Sequence, residues 1–434
     1  MNIYSLQGKI VVIALILLLL FTQAEYKISA QKESSELKLL WVQYGPEGMA
    51  ISTCISETAV YIVGLSGKWI MGLYKTDKSI IEARNANTGE LMYSWQSTYG
   101  RNIWLYDCIV LGDHLYVVGG DDSPGNLEWL ILKFTLDLKL VKEMNYNPSS
   151  YDEIATTIAT DGKYLYVGGF DASHESISYD DTQWHVIKID PNDLTIIKSY
   201  TYNPSNLRDY ITSIVINPID GKIWLIGVIH QYLEGYGKIS ILNQDLLLIN
   251  SMELNVKVLF PHLTLDETGH AYVTNVYSDE NVNFGLMKIS SDLKIVKANY
   301  NITAERILYS NGYLYLASIK EIDRYKRHVL IRATKDLNIV DELVLNKQVN
   351  ATSHFYPPGK MSITDNKLYL AGYIEGAPYG YKWVIYAVSI PVQQATTIYD
   401  YLILATAVAT IAPMTIAILF ILRRIKSLRQ NQNK

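Results

Sequence analysis

Cysteine is nearly absent. Two residues, Cys54 and Cys108, among 434 cannot build the disulfide scaffold of a small secreted domain. Either they form one bridge in an oxidising exterior or they are two small apolar core thiols. Both fall seven to eight residues before a repeated aromatic position, which maps them to the innermost strands of neighbouring repeats. Charge is scarce as well, at 19% of residues, and the formal balance of −5 is acidic. An acidic chain is a poor partner for nucleic acid. Several motifs are missing. There is no G-x-S-x-G, no H-E-x-x-H and no calcium-loop string, and the eight histidines are scattered. The acids Asp121, Asp122, Asp180 and Asp181 therefore read as solvated loop carboxylates. No catalytic residue, metal ligand or cofactor is assigned. Paired carboxylates come together only in space, so an enzyme stays open, with a non-enzyme favoured.

What is present begins at the ends. Residues 401–422, YLILATAVATIAPMTIAILFIL, carry no charge, and about 20 apolar residues suffice for a helix to cross a bilayer. The tail 423–434 brings Arg423, Arg424, Lys426, Arg429 and Lys434 without an acid. The positive-inside rule makes that tail cytoplasmic and the bulk of the chain extracellular, a single-pass protein of the cell membrane. At the other end a basic start, the apolar run 10–21 and the small residues Thr22 and Ala24 describe a signal peptide over 1–24, or an uncleaved signal anchor. Residues 392–400 are a short linker. Removing the end charges leaves roughly ten net negative charges on the exported part, against binding to anionic surfaces. Tyrosine, at 34 residues, supplies hydroxyl groups in place of ions. This tyrosine-rich, cysteine-poor exported composition resembles that of archaeal surface proteins.

Between the ends lies a repeat. The segment YLYVGG (164–169) recurs as AVYIVGL, HLYVVGG, KIWLIGV, HAYVTNV, GYLYLAS and KLYLAGY, placing an aromatic at Tyr61, Tyr116, Tyr166, Trp224, Tyr272, Tyr315 and Tyr369. A third strand follows in each copy, opened by tryptophan in WLILKFT, WHVIKID and WVIYAVS, and then a fourth such as LTIIKSYTY. Asp- or Asn-bearing turns precede the leading leucine of the fourth strand, Asp and Asn tolerating unusual torsions. The pattern predicts an all-β fold, a seven-bladed β-propeller over 37–391 built of four-stranded antiparallel blades. The last copy lacks its fourth strand. LKLLWVQYG (37–45) has that look, so it is expected to close the ring on the last blade, removing a free edge.

The unit DG-x-x-YVGG…W-x-V-I-K-x-D-x-x-L resembles the archaeal and bacterial seven-bladed β-propeller repeats of delta-60 and kelch-like type, here as a membrane-anchored ectodomain. The resemblance covers nearly all of 37–391 and implies fold, with little on function. It departs from kelch in keeping the double glycine only at Gly119-Gly120 and Gly168-Gly169. The Asp-box of sialidase-like propellers and the Trp-Asp signature are absent.

Loops joining second to third strands share one face with the links between blades. There the sequence offers His174, Glu175, Tyr179, Asp180, Asp181, His230, Tyr232, Tyr236, Asp323, Arg324, Tyr325, Tyr379 and Tyr381. Aromatic faces flanked by polar groups suit an envelope glycan or protein partner, while solvated turns in a tyrosine-rich chain would look the same. Asn301 and Asn350 open N-x-T sequons and are candidate glycosylation sites. The expected function is a membrane-anchored binding or structural module, the alternative an extracellular hydrolase or lyase.

Overall fold

Alternating short strands and tight turns leave the backbone one economical way to pair its polar groups, in antiparallel ladders. The computed structural model describes residues 36–391 apart from 71–72, 99, 150, 173–180, 232–234, 279–280, 347–358, 365 and 377–379, with backbone only at 68–77, 231, 278–284 and 375–376. Every regular element among the described residues is a β-strand, and no helix there is long and apolar enough to cross a membrane. The chain divides into two bodies, Met1–Pro391 and Val392–Lys434. The second lies outside the described residues, and with it the linker, the apolar segment 401–422 and the basic tail. So does the segment 1–24.

Strand β1 (Lys38–Ile55) serves two sheets. Its second half pairs with β2 (Ala59–Ile70), which continues to β3 (Leu73–Asn85) and β4 (Leu91–Gln96). Its first half pairs with the last strand of the body, β27 (Gly380–Ser389), from Lys38↔Ser389 to Glu47↔Lys382. The change of partner falls at Gly48, whose φ of +136° favours glycine and where a Cβ would strike the Leu65 carbonyl oxygen. The apparent insertion KWIMGLYKTDK is the tip of one long β2–β3 hairpin, paired out to Ile70↔Leu73.

The modules that follow are each four antiparallel strands. The second is β5 (Ile103–Leu111), β6 (His114–Asp121), β7 (Glu128–Thr135) and β8 (Leu140–Tyr146); the third is β9 (Ile154–Thr160), β10 (Leu165–Asp171), β11 (Gln183–Ile189) and β12 (Ile196–Tyr202). Next come β13 (Arg208–Ile216), β14 (Ile223–Gln231), β15 (Gly235–Leu242) and β16 (Leu248–Val258), then β17 (Leu263–Leu265), β18 (Ala271–Ser278), β19 (Asn281–Ile289) and β20 (Ile295–Asn299). These two share one sheet, because the end of β16 pairs with β18 at Lys257↔Tyr277 and Val258↔Val276. After β21 (Arg306–Ser310), β22 (Tyr313–Ile322), β23 (Tyr325–Thr334) and β24 (Ile339–Val344), the last module is β25 (Ser362–Ile363), β26 (Lys367–Gly376), β27 and the first half of β1. First strands pack in succession, β1 on β5, β5 on β9, β9 on β13, β13 on β17 and β17 on β21.

Second and third strands are buried on both faces, since each module is covered by its neighbours. The repeated aromatics Tyr61, Tyr116, Tyr166, Trp224, Tyr272, Tyr315 and Tyr369 are all at most 2% exposed. Three tyrosine hydroxyls donate to a carbonyl in the turn of the next module: Tyr61 to Leu136 at 3.0 Å, Tyr116 to Pro191 at 2.9 Å and Tyr369 to Ala86 at 2.9 Å. The tryptophans opening third strands donate to second-strand carbonyls of the next module, Trp129 Nε1 to Phe170 O at 2.9 Å, Trp184 to Val228 O at 3.0 Å and Trp383 to Leu65 O at 3.0 Å. These three tyrosines and three tryptophans are thus amphipathic ties between modules, apolar in body and polar at the tip, while Tyr166 and Tyr272 donate to Asp161 and Asp266 of their own modules.

One expectation on the turns changes. Between third and fourth strands the left-handed torsion falls on the leucine and not on the Asp or Asn: φ is 62° at Leu138, 58° at Leu194, 58° at Leu246, 61° at Leu293 and 60° at Leu337. Glycine is the usual occupant of this position after a type I turn. These leucines are buried, and burying a leucine gains about 1.5–3 kcal/mol, which offsets a left-handed strain of about 1–2 kcal/mol.

Candidate ligand-binding loop face

The links between modules end in buried acids. In YNPSSYDE (146–153) the Ser149 hydroxyl donates to the Glu153 carboxyl and accepts the Tyr151 amide at 3.0 Å. In YNPSNLRDY (202–210) Ser205 repeats this, donating to Asp209 Oδ2 at 3.0 Å and accepting the Leu207 amide at 3.2 Å. Serine and acid stand four residues apart in both, so one serine folds the link while presenting its hydroxyl to the acid. Glu153 and Asp209 are each 0% exposed. Burial pushes Glu153 up to about 8 against the Ser149 hydrogen bond, with the Asp171 charge adding to the rise. Burial likewise raises Asp209 to about 7, aided by Asp181.

Asp209 gathers its surroundings. Its Oδ1 accepts the His230 amide at 2.7 Å, where His230 has a φ of 58°. Its backbone exchanges two hydrogen bonds with the Thr182 hydroxyl, at 2.9 and 3.0 Å. Beside Glu153 lies an acid–histidine pair. His185 Nδ1 contacts Asp171 Oδ2, with side chains 4% and 0% exposed, and Gln183 Nε2 donates to Asp171 Oδ1 at 2.7 Å. The imidazole packs against Trp129 and Tyr146, ring centroids 5.3 and 5.6 Å away. Its Nε2 is buried without a hydrogen-bond partner among the described residues. At the matching strand end of the preceding module Asp121 instead takes Arg101, Nε to Oδ2 at 2.8 Å.

A second polar cluster lies where first strands meet. Asp107 accepts Ser52 Oγ and the Ile158 amide, both at 2.9 Å, and pairs with Lys360 Nζ at 2.5 Å. Arg306, 1% exposed, donates to Ala371 O at 2.9 Å and Ile51 O at 2.7 Å, tying the sixth module to the first and last. Burial lowers its guanidinium to about 10. His262 and His328 are buried too, and desolvation, with Arg306 adding repulsion, holds both down to about 3. Cys54 on β1 and Cys108 on β5 are joined by a disulfide, Cα atoms 5.8 Å apart, so the first two modules are also linked covalently.

Of the residues singled out from sequence, His174, Glu175, Tyr179, Asp180, Tyr232, Tyr379 and Asn350 lie outside the described residues. Asp181 and His230 are brought to the same residue, Asp209, and Asp121 and Asp181 are not the solvated acids expected but 1% and 2% exposed, covered by their neighbouring strands. The others stand apart. Tyr236 on β15 is 43% exposed. Asp323 and Arg324 are the two central residues of the β22–β23 turn, with φ of 53° and 66°, so backbone torsion accounts for that turn. Tyr325 is 51% exposed beneath the Arg327 guanidinium, 4.9 Å from its ring centre. Tyr381 packs on Tyr373 at 4.8 Å. Asn301 is exposed in the turn after β20. Among the described residues no three His, Cys, Asp or Glu are grouped to hold a metal ion. Glu153, Asp171, His185 and Asp209 escaped the sequence reading, although the Ser-x-x-x-acid spacing repeated in two links was there to find.

No family model and no curated protein matches the sequence. Solved structures do. The polysaccharide lyase Uly1 is 10% identical with a TM-score of 0.51, over 80% of this chain and 90% of that one. An acylaminoacyl peptidase of Pyrococcus horikoshii is 12% identical, TM-score 0.48, over 82% of this chain and 54% of that one, so the chain spans about half the length of the peptidase. The β-propeller domain of the Trilobed protease from Pyrococcus furiosus, described as having an open velcro topology, is 10% identical with a TM-score of 0.46, over 79% of this chain and 94% of that domain. Identities this low bear on fold alone. Four-stranded antiparallel sheets that repeat along the chain, with β27 paired back onto β1, give an all-β, propeller-like architecture, and the likeness to Uly1 agrees with that fold.

Proposed function

We propose that the chain is a membrane-anchored, seven-bladed β-propeller whose loop face binds a protein or glycan of the cell envelope. The blade count follows from taking the two halves of β1 as the fourth strand of the last blade and the first strand of the first. Anchoring rests on the uncharged segment 401–422 and the charge step at Arg423. Asn301 and Asn350 are the expected glycosylation acceptors on the exported side.

The observation that carries the binding reading is where the ionisable groups of the loop face lie. Glu153, Asp171, His185 and Asp209 are at most 3% exposed. Ser149 and Ser205 tie two of them to their links, and Asp171 holds the strand end through Gln183. They stiffen the platform, and the loops joining second to third strands are left to make contact. Rigid elements that present adaptable loops are a common basis for recognition.

One observation favours the alternative, an extracellular hydrolase or lyase. The Asp171–His185 pair beside a raised Glu153 is the kind of arrangement that tunes an acid and a base apart. A single experiment separates the two. The full chain in detergent is screened against envelope glycans and proteins, for retention and for turnover. Retention lost on replacing Tyr232 and Tyr236 by serine but kept in His185→Gln supports binding. Turnover lost in His185→Gln, with folding intact, replaces it with the enzyme. Neither retention nor turnover rejects both.

A further inference from the structure

The fourth strand is the outer edge of each module, and its first residues expose large apolar side chains. One from every module makes the point: Leu40 is 42% exposed, Met92 41%, Val141 50%, Ile197 43%, Ile249 49%, Val296 54% and Val340 44%. Isolated exposed hydrophobics need no explanation. The same step of the repeat in every module is a different matter, because it sets those residues at one level round the rim.

The topology says which side that level is on. A fourth strand starts immediately after the turn that ends the third, so the band borders the face of those turns, opposite the loop face. Strand β27 is itself a third strand, and it ends at Ser389 beside Lys38. The chain therefore leaves the propeller at Pro391 on the banded face. From there only PVQQATTIYD, Pro391 to Asp400, precedes the apolar segment, a reach of about 35 Å when fully extended. Turns on this face also carry Lys139 and Lys294, 80% and 77% exposed and paired with Asp137 and Asp292 of their own turns, whose stems can lie along apolar surface with the ion pair in water.

We propose that this band rests on the lipid bilayer holding the chain, its apolar residues entering the boundary between headgroups and acyl chains, with the loop face turned outward. The proposal depends on the anchoring reading above. Lipid is the occupant because the band is spread round the rim at one level and lies where the chain departs toward its apolar segment. A flat, fluid surface meets such a band everywhere at once. The attraction is apolar, so zwitterionic lipid suffices for an acidic chain.

The test uses the full chain in phosphatidylcholine vesicles. Val141→Cys and Val340→Cys place a fluorophore in the band, and Asn206→Cys, in the exposed link after β12, places one on the loop face. The native cysteines are bonded to each other, and the unsubstituted chain checks that they take no label. Lipids brominated in the acyl chain should quench the two band probes by about twofold and leave the probe at 206 unchanged, as expected for shallow insertion. A chain that resists carbonate extraction while its band probes stay unquenched, or while all three quench alike, overturns the proposal and leaves the anchor standing. Release by carbonate rejects the anchor and the proposal with it. Unquenched band probes that crosslink between copies assign the band to self-association instead.

Discussion

Four buried groups set how this fold should respond to pH. Glu153 and Asp209 are raised to about 8 and about 7 from ordinary values of 4.5 and 3.8. His262 and His328 are lowered to about 3 from 6.5. An acid with a raised folded value contributes stability below its unfolded value and loses it as pH climbs to the folded one. From pH 6.5 to about 7 both acids still hold protons that the unfolded chain has released, and stability falls by about 2.7 kcal/mol per pH unit for two such groups. Above that the slope eases as Asp209 and then Glu153 ionise. A histidine lowered on folding acts in the opposite direction, its stability being lost as pH drops from the unfolded value toward the folded one. Between about pH 4.5 and 6.5 the two pairs nearly cancel. Below 4.5 the acids are protonated in both states and the histidine limb stands alone. Urea unfolding followed by circular dichroism from pH 3 to 9 should therefore show a plateau in the mildly acidic range with a fall on each side. Glu153→Gln and Asp209→Asn should each remove about half of the alkaline slope while leaving the acid limb in place. A stability maximum above pH 7.5, or an alkaline limb unchanged in the double variant, would refute the burial argument.

Three further outcomes follow from the packing. Tyr369→Phe removes only the hydroxyl that reaches Ala86 O from last module to first, and should lower unfolding free energy by about 1 kcal/mol; no change in the urea midpoint would mean the carbonyl is fully served by water. Leu337→Gly relieves a φ of 60° but empties a fully buried site. Loss of a core leucine costs about 2–5 kcal/mol and the relief returns about 1–2, so thermal melting should show net destabilisation, whereas a gain would place the strain above the burial. Deleting residues 36–47 strips β27 of its partner on one side and uncovers the cluster around Val384, Tyr386 and Val388. Limited proteolysis should then cut throughout the propeller, and a resistant core would show the modules to be independent.

Much of this was legible because the aromatic repeat obeys packing and hydrogen bonding together. Tyr61, Tyr116 and Tyr369, with Trp129, Trp184 and Trp383, stand where a large ring must fill the gap between sheets and its polar tip must reach the next one. A position under two demands varies little from copy to copy, so it shows in one sequence. The orphan strand at 37–45 was readable for a related reason, since an edge short of one strand needs a donor. Its continuation through Gly48 into the first module was not, because only the collision with Leu65 marks the crossing. The turns misled because torsional preference was weighed without burial. At Leu138 and its four counterparts the core sets the residue and the backbone yields. The buried acids were hidden because carboxylates are expected in solvent, and only the serine four residues ahead distinguishes Asp209 in its link from Asp220 in an open turn.

That difference bears on how the loop face is built. Burying a carboxyl is unfavourable unless it is neutralised or well bonded, and here the same device occurs in two successive links, a serine four residues ahead and a second acid nearby. With their values raised to about 8 and about 7, Glu153 and Asp209 are neutral in mildly acidic surroundings, where they bond to the links without a counter-ion. The chain's composition runs the same way, with 34 tyrosines against 19% charged residues. Neutral hydrogen bonds between modules do not weaken as carboxylates protonate, nor as salt screens them. A framework held in this manner keeps its loop platform rigid across acid conditions that would loosen an ion-paired one, until the buried histidines set the lower limit.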